Sequence, residues 1–261
     1  MRSLSIAATG MMAQQLHVEV ISNNIANLTT SGFKRRRPEF QDLLYQNQRR
    51  IGAASSDVGT VVPAGVQIGL GVKPAAVYRV HAQGNMTATE GALDLAVQGE
   101  GYFIVERPSG EFAYTRDGSF QLSAEGLLVT ADGFTVSPGI TVPEDALQVT
   151  INASGEVQAK LQSQVEPVDL GQLELAIFAN EAGLEAIGNN FLIETPASGP
   201  ATINTPGNAG FGELQQGFLE SSNVNPVQEM TALITAQRAY DLNSKVITAS
   251  DEMMATVTQL R

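Results

Sequence analysis

Two histidines, three aspartates beside turns and a handful of methionines are the residues of this 261-residue chain whose chemistry invites a site. His17 and His81 stand in different segments, with no carboxylate or second imidazole at the spacing of a metal centre or proton relay. Asp94, Asp117 and Asp132 prompt a search for paired carboxylates. Asp117 and Asp132 each precede glycine, however, where a side chain that closes its own turn accounts for them more simply than acid–base work. Met11, Met12, Met253 and Met254 fall near the chain ends and read as gap fillers between helices rather than ligands. Gly69-Leu70-Gly71 lacks the third spaced glycine and the following helix of a nucleotide loop. No Gly-x-Ser-x-Gly, phosphate loop or His-Glu-x-x-His occurs, and there is no cysteine to act as nucleophile, thiolate ligand or disulfide. The expectation is a protein that is not an enzyme, with no catalytic residue, metal or cofactor.

The elements with the strongest periodicity are the two ends. Leu4, Met11, Val18 and Ile25 recur every seven positions, and Ala7, Ile21 and Leu28 form a second row interrupted by Gln14. This is the a/d pattern of a helix that hides a narrow seam against other helices. It runs out in Ser22-Asn23-Asn24-Ile25-Ala26-Asn27-Leu28-Thr29-Thr30-Ser31-Gly32-Phe33-Lys34, where Asn, Thr and Ser compete for backbone hydrogen bonds and Gly32 can turn left-handed. From Pro226 to Arg261 there is neither Gly nor a further Pro. Leu233, Tyr240, Ile247 and Met254 make one heptad row there. Val227, Met230, Ile234, Val246, Met253, Val257 and Leu260 widen the apolar face. Asn225 reads as an N-cap, with Pro226 at the first helical position. Helices of about thirty residues each would span roughly 45 Å. The sequence predicts that the ends pack on each other, the plainer alternative being two amphipathic helices lying on the middle of the chain. With no partner for their apolar faces, they are expected to be largely disordered in an isolated subunit.

The formal charge of −12 is unevenly spread. Residues 31–50 hold six basic side chains against two acidic, whereas residues 90–200 hold three against seventeen. An acidic middle argues against nucleic-acid binding, and the small basic cluster lacks the interleaved aromatics of a single-strand binder, so it reads as a solvated or intersubunit patch. No apolar run is long enough to span a bilayer, so no membrane insertion is expected. The first residues lack the apolar core of a signal peptide.

Between the ends the predicted class is α+β and multi-domain, with terminal helices forming a coiled-coil-like domain and a mainly antiparallel β domain between them. The predicted divisions are 1–34 for the first helix, 35–90 for a connecting region, 91–212 for the β-rich domain and 213–261 for the return and last helix. Residues 101–106, 112–116, 119–122 and 127–130 alternate with Gly-containing turns as in a meander or barrel, and the pattern continues to Glu194. Residues 46–72 are rich in small residues, including Gly52, Gly65, Gly69 and Gly71, with Gln46, Arg49, Arg50, Val61 and Pro63 among them. So long a stretch is either a flexible linker or a loop that orders against a partner.

The run Ser22–Lys34 resembles the bacterial flagellar rod and hook family, above all at Asn23, Asn24, Asn27, Thr30, Gly32, Phe33 and Lys34. Leu219-Glu220-Ser221-Ser222-Asn223-Val224-Asn225 resembles it again, at Ser222 and Asn223, as does Ala236–Val246 at Gln237, Arg238 and Tyr240. Asp94–Phe103 and Tyr114-Thr115-Arg116-Asp117-Gly118-Ser119-Phe120 are similar to the same family, so the resemblance covers nearly the whole chain. Within it, the length, residues 46–72 and the phrase Gly65–Val72 point to subunits of the distal rod.

The resemblance implies a structural subunit that polymerises helically with copies of itself into a straight tubular drive shaft, carrying torque to the hook and forming part of the export channel. It implies terminal helices lining the channel, β domains outside, and residues 46–72 as a rod-specific insertion. Proximal rod proteins, hook-side subunits, the surrounding P and L rings and the flagellar type III export apparatus are the implied partners. The implied place is the periplasm-spanning rod of the basal body, reached without a cleaved signal. Competing readings are a proximal rod or hook subunit and, in a different class, a secreted oligomeric module that binds glycan. The last would favour clustered exposed aromatics, but there is no Trp and Tyr102, Tyr114 and Phe120 fit strands better.

Overall fold

The computed structural model describes residues 2–49, 64–162 and 166–259. Helix α1 spans Arg2–Ala26 and α2 spans Pro226–Gln259. The second starts at its expected cap. The Asn225 side-chain oxygen accepts hydrogen bonds from the amides of Val227 (3.0 Å) and Gln228 (3.3 Å), and Pro226 sits where no N–H is needed. The first stops earlier than residue 34. Beyond Ala26 the amides of Thr30 and Phe33 bond to the carbonyls of Asn27 and Thr30, and Gly32 takes a φ of +67°. These local bonds offer the backbone an alternative to the helix.

The chain forms two compact units, each built from stretches far apart in sequence. One comprises α1, the described parts of Arg36–Tyr78, and α2; the other comprises Asn27–Arg35 and Arg79–Val224. The boundaries therefore differ from the sequence-based ones. Residues 27–35 and 213–224 belong with the β-rich unit, because they pair with its strands and loops, and the described parts of residues 36–78 belong with the helices.

In the helical unit, residues 36–49 and 66–79 make a two-stranded ribbon. Strand Arg36–Asp42 pairs with Val72–Arg79, and Tyr45–Arg49 pairs antiparallel with Val66–Gly69, in the register Tyr45↔Gly69 and Asn47↔Gln67. The Leu43 amide bonds to the Gly71 carbonyl and the Leu70 amide to that of Leu44, joining the two ladders. What the sequence leaves between linker and functional loop is thus a β ribbon as far as it is described; Arg50, Gly52, Val61 and Pro63 lie outside the described residues. The ribbon runs back along α1. Asn24 bonds both backbone polar groups of Arg36, the His17 ring meets Phe40 edge-on at 6.3 Å, and the Thr9 hydroxyl accepts from the Val72 amide. Gly71, at φ +121°, must be glycine, since a Cβ there would lie 2.2 Å from the Thr9 oxygen.

The second unit is antiparallel throughout its registered strand pairs. Its centre is Tyr102–Glu106, flanked by Phe112–Thr115 on one side and by Leu175–Ile177 and Thr135–Val136 in succession on the other. Alternation along this strand sends Phe103 into one apolar cluster, with Leu95, Phe120, Leu175 and Leu214. Tyr102 and Ile104 enter another, with Tyr114, Phe178 and Leu184. Both faces are buried, as the uninterrupted apolar run requires. A separate sheet pairs Ala146–Ile151, Glu156–Leu161 and Val168–Gln172.

Candidate functional site

The helical unit pairs α1 with α2 inside one chain, the mutual packing of the two ends that the sequence predicts. The pairing is antiparallel and keeps heptad register. Asn24 bonds Glu229, Gly10 packs on Asn243 and Ser3 bonds Ser250, so each seven-residue step along one helix is matched by seven on the other. The facing residues are small or polar. Asn24 and Glu229 are buried, with Asn24 Nδ2 donating to Glu229 Oε2 at 3.1 Å, and Ala7, Ala13, Ala236 and Ser250 are buried too.

The predicted apolar rows lie mostly beside this seam. Leu4, Met11, Val18 and Ile25 are only half-buried, whereas Ala7 and Ile21 of the second row are fully covered. On α2, Leu233, Ile247 and Met254 are half-buried, while Tyr240 is 42 % exposed. Val227, Met230, Ile234 and Val257 are exposed, as are Leu242, Val246 and Met253, which leaves large apolar side chains uncovered along the length of α2. Leu28 falls beyond the end of α1, in the other unit, and Leu260 lies outside the described residues. Gln237 and Tyr240 line a shallow groove with Val18 and Glu19, and Arg238 is exposed. Along the ribbon, Gln46 and Arg49 are exposed, Gly65 and Gly69 half-buried.

In the β-rich unit Ser22–Lys34, Tyr114–Phe120 and Leu219–Asn225, three of the family-like phrases of the sequence, contribute to one buried polar cluster. Lys34 Nζ donates to Glu220 Oε1 at 2.6 Å and to the Ala82 carbonyl at 3.1 Å. Glu220 Oε1 also accepts the Gly84 amide, and its carbonyl accepts that of Gly32. Arg116 donates to the carbonyls of Val97 and Gly99 and lies over the Tyr102 ring, 5.4 Å from its centroid. Its Nε faces Glu220 Oε2 at 3.8 Å, a charge contact too long for a hydrogen bond. Asn223 accepts from the Arg35 amide and donates to the carbonyls of Val80 and Ala82. Ser222 is buried beside it, and the Asn223 amide bonds to the Phe33 carbonyl. Asn27 and Thr30 bond each other by side chain within the preceding turn. Asn23 stands on the exposed side of α1.

Residues 4–34 match the family described as "Flagella basal body rod protein", residues 96–159 "Flagellar hook protein FlgE/F/G D1 domain", and residues 215–260 "Flagellar basal body rod FlgEFG protein C-terminal". The chain is 57 % identical over 261 residues to the flagellar basal-body rod protein FlgG of Caulobacter vibrioides, covering all of both chains. It is 49 % identical over 259 residues to FlgG of Agrobacterium fabrum, covering 99 % of each. With FlgG of Bacillus subtilis it shares 39 % over 266 residues, covering 100 % of this chain and 99 % of the other. The chain belongs to the flagellar basal-body rod family. Its place is the rod, among other rod and hook components, and its role is structural rather than enzymatic.

In this rod subunit the chemically inviting residues have structural work. Asp117 accepts from the Ser119 amide and hydroxyl, closing its own turn, and from Asn190. Asp132 accepts from Asn189, and Asp94 from the Thr89 hydroxyl. His81 Nδ1 lies 3.0 Å from the Tyr102 hydroxyl and 3.2 Å from Glu181. Burial, reinforced by the charges of Arg79, Lys34 and Arg116, lowers the His81 pKa to about 4, so the ring is neutral at pH 7. Burial also raises Tyr102 and Glu181 and lowers Lys34, in the last case against the pull of Glu220. Sequence reasoning did not single out Glu220, Arg116, Glu229, Gly10 or Asn243. Glu229 recurs at heptad spacing with Ala236, Asn243 and Ser250, a row of small and polar residues that a search for apolar periodicity passes over.

Proposed function

We propose that this chain is a distal rod subunit that polymerises through the outward apolar faces of α1 and α2 into a straight tube around an export channel. The observation that carries this reading is that Val227, Met230, Ile234, Val246, Met253 and Val257 are all exposed on the single chain although α1 already covers one side of α2. Large apolar side chains left uncovered in this number mark an interaction site. Copies that join through different faces of the same helices build an open helical filament rather than a closed dimer. In that assembly the tube transmits torque from proximal rod proteins to the hook side, turns within the P and L rings, and is delivered across the periplasm by the flagellar export apparatus without a cleaved signal. The ribbon of residues 36–49 and 66–79 supports a further role. Its Leu44, Tyr45 and Val66 are exposed, and we assign it as a strut lying along neighbouring copies that keeps the shaft straight.

The test is sedimentation and electron microscopy of Ile234→Asp beside the unsubstituted chain. The expected result is filaments from the unsubstituted chain and a folded monomer from the variant. Equal assembly of both contradicts the reading.

A further inference from the structure

Large apolar side chains give two helices affinity but little register, because a slide by one heptad replaces leucine by leucine. Buried polar groups behave differently, since a slide leaves them without partners. In the helical unit the facing positions are occupied by polar or small residues at three steps, polar against polar at two and the smallest residue against an amide at the third. Asn24 meets Glu229 through a buried 3.1 Å hydrogen bond. Asn243 meets Gly10, where a Cβ would come within 3.0 Å of the amide group. Ser250, which is buried and donates to the Val246 carbonyl of its own helix, has its hydroxyl 3.3 Å from that of Ser3, so this layer fixes register by close fit more than by an unmet hydrogen bond.

We infer that these three layers are a register lock. They set a single antiparallel alignment of α1 with α2 within one chain, and the apolar rows beside them are left for other contacts. Asn24 is the best-anchored part, because its amide group also accepts the Arg36 N–H and donates to the Arg36 carbonyl, both at 2.9 Å. A shift by one heptad would place Asn24 opposite Ala236 and carry Glu229 past the end of α1, breaking their hydrogen bond. It would also bring Gly10 away from the one bulky amide that fits over it. The inference concerns contacts inside the chain and does not depend on the filament reading above.

The absence of native cysteine makes the register directly readable. A disulfide needs Cα atoms about 4.4–6.8 Å apart, whereas one heptad displaces a residue by about 10 Å along the helix. In the full chain as a monomer, Ser3→Cys with Ser250→Cys should close an intramolecular disulfide under mild oxidation, and Ser3→Cys with Val257→Cys should not. Adding Asn24→Leu and Glu229→Leu should divide the product between the two pairs. Retention of the Ser3–Ser250 pairing alone in that background overturns the lock. Gly10→Leu gives a second reading should the double leucine chain fail to fold. It should lower the Ser3–Ser250 cross-link several-fold, and Gly10→Asn with Asn243→Gly should restore it. Full cross-linking in Gly10→Leu, or no recovery in the exchanged pair, also overturns it.

Discussion

Lys34 and Glu220 lie 186 residues apart in sequence and meet at 2.6 Å, their side chains only 6 % and 1 % exposed. Both belong to phrases by which the family is recognised, and both serve the β-rich unit. The phrase that follows α1 is therefore a clasp for the unit's entry and exit segments. Its residues are specified by a buried charge pair and its backbone hydrogen bonds rather than by a binding surface.

Removing one partner leaves the other charge buried alone. Lys34→Met or Glu220→Leu should each destabilise the β-rich unit by about 3–5 kcal/mol, while the double substitution should cost much less than the sum. Urea unfolding followed by tyrosine near-ultraviolet circular dichroism measures this. Additive losses would show that the pair is not coupled.

Gly32 tests the same clasp through the backbone. Its φ of +67° suits glycine, and a Cβ would lie 2.7 Å from the Arg116 carbonyl carbon and 2.8 Å from the Asp117 nitrogen. Gly32→Ala should lower the unit's stability by at least about 2 kcal/mol. A midpoint unchanged from the unsubstituted chain would contradict the close approach.

The His81 ring provides a pH test. Its folded pKa of about 4 lies below the ordinary 6.5, so between those values the unfolded chain binds a proton that the folded chain refuses. Stability of the β-rich unit should therefore fall as pH drops through that window. Glu181 opposes this. Its raised pKa makes the folded chain bind a proton before the unfolded one, so its contribution grows as pH falls towards 4.5. His81→Asn should remove the first effect and leave the second. Its melting temperature should then decline less between pH 6.5 and 4.5 than that of the unsubstituted chain. Parallel pH profiles would contradict the assignment.

How much of this was legible follows from the kind of interaction involved. The strand Tyr102–Glu106 and the cap at Asn225 are local patterns, and both stand where the sequence places them. The ends of both helices were legible as amphipathic, but not which side meets which. Periodicity ranks rows by hydrophobicity, so it selected Leu4, Met11, Val18 and Ile25. The contact between α1 and α2 instead runs through Asn24, Gly10 and Ser3, whose value lies in their fit to Glu229, Asn243 and Ser250. Residues 46–72 read as a linker or a loop because the pairing of 45–49 with 66–69 is non-local.

Charge placed on the apolar rows separates folding from assembly. Met11→Asp and Ile247→Asp, at half-buried positions, should block polymerisation and weaken the helical unit, by several kcal/mol for a charge buried without a partner. The β-rich unit should keep its unfolding midpoint, because its core clusters draw on none of these residues. Normal filaments from both variants would refute the placement of the rows at intersubunit contacts.

Removing residues 46–63 tests the ribbon in its proposed place. The shortened subunit should still fold and assemble, but into a curved or bendable shaft when viewed by electron microscopy. A straight shaft after the deletion would contradict the strut.

Amide hydrogen exchange on monomer and on filament tests the central claim most directly. If the outward faces of α1 and α2 are the polymerisation surfaces, residues 2–26 and 227–259 exchange faster in the monomer than the core of the β-rich unit and become many-fold slower on assembly. Strand Tyr102–Glu106 should be equally protected in both states. Helices whose exchange is unchanged between monomer and filament would contradict the account.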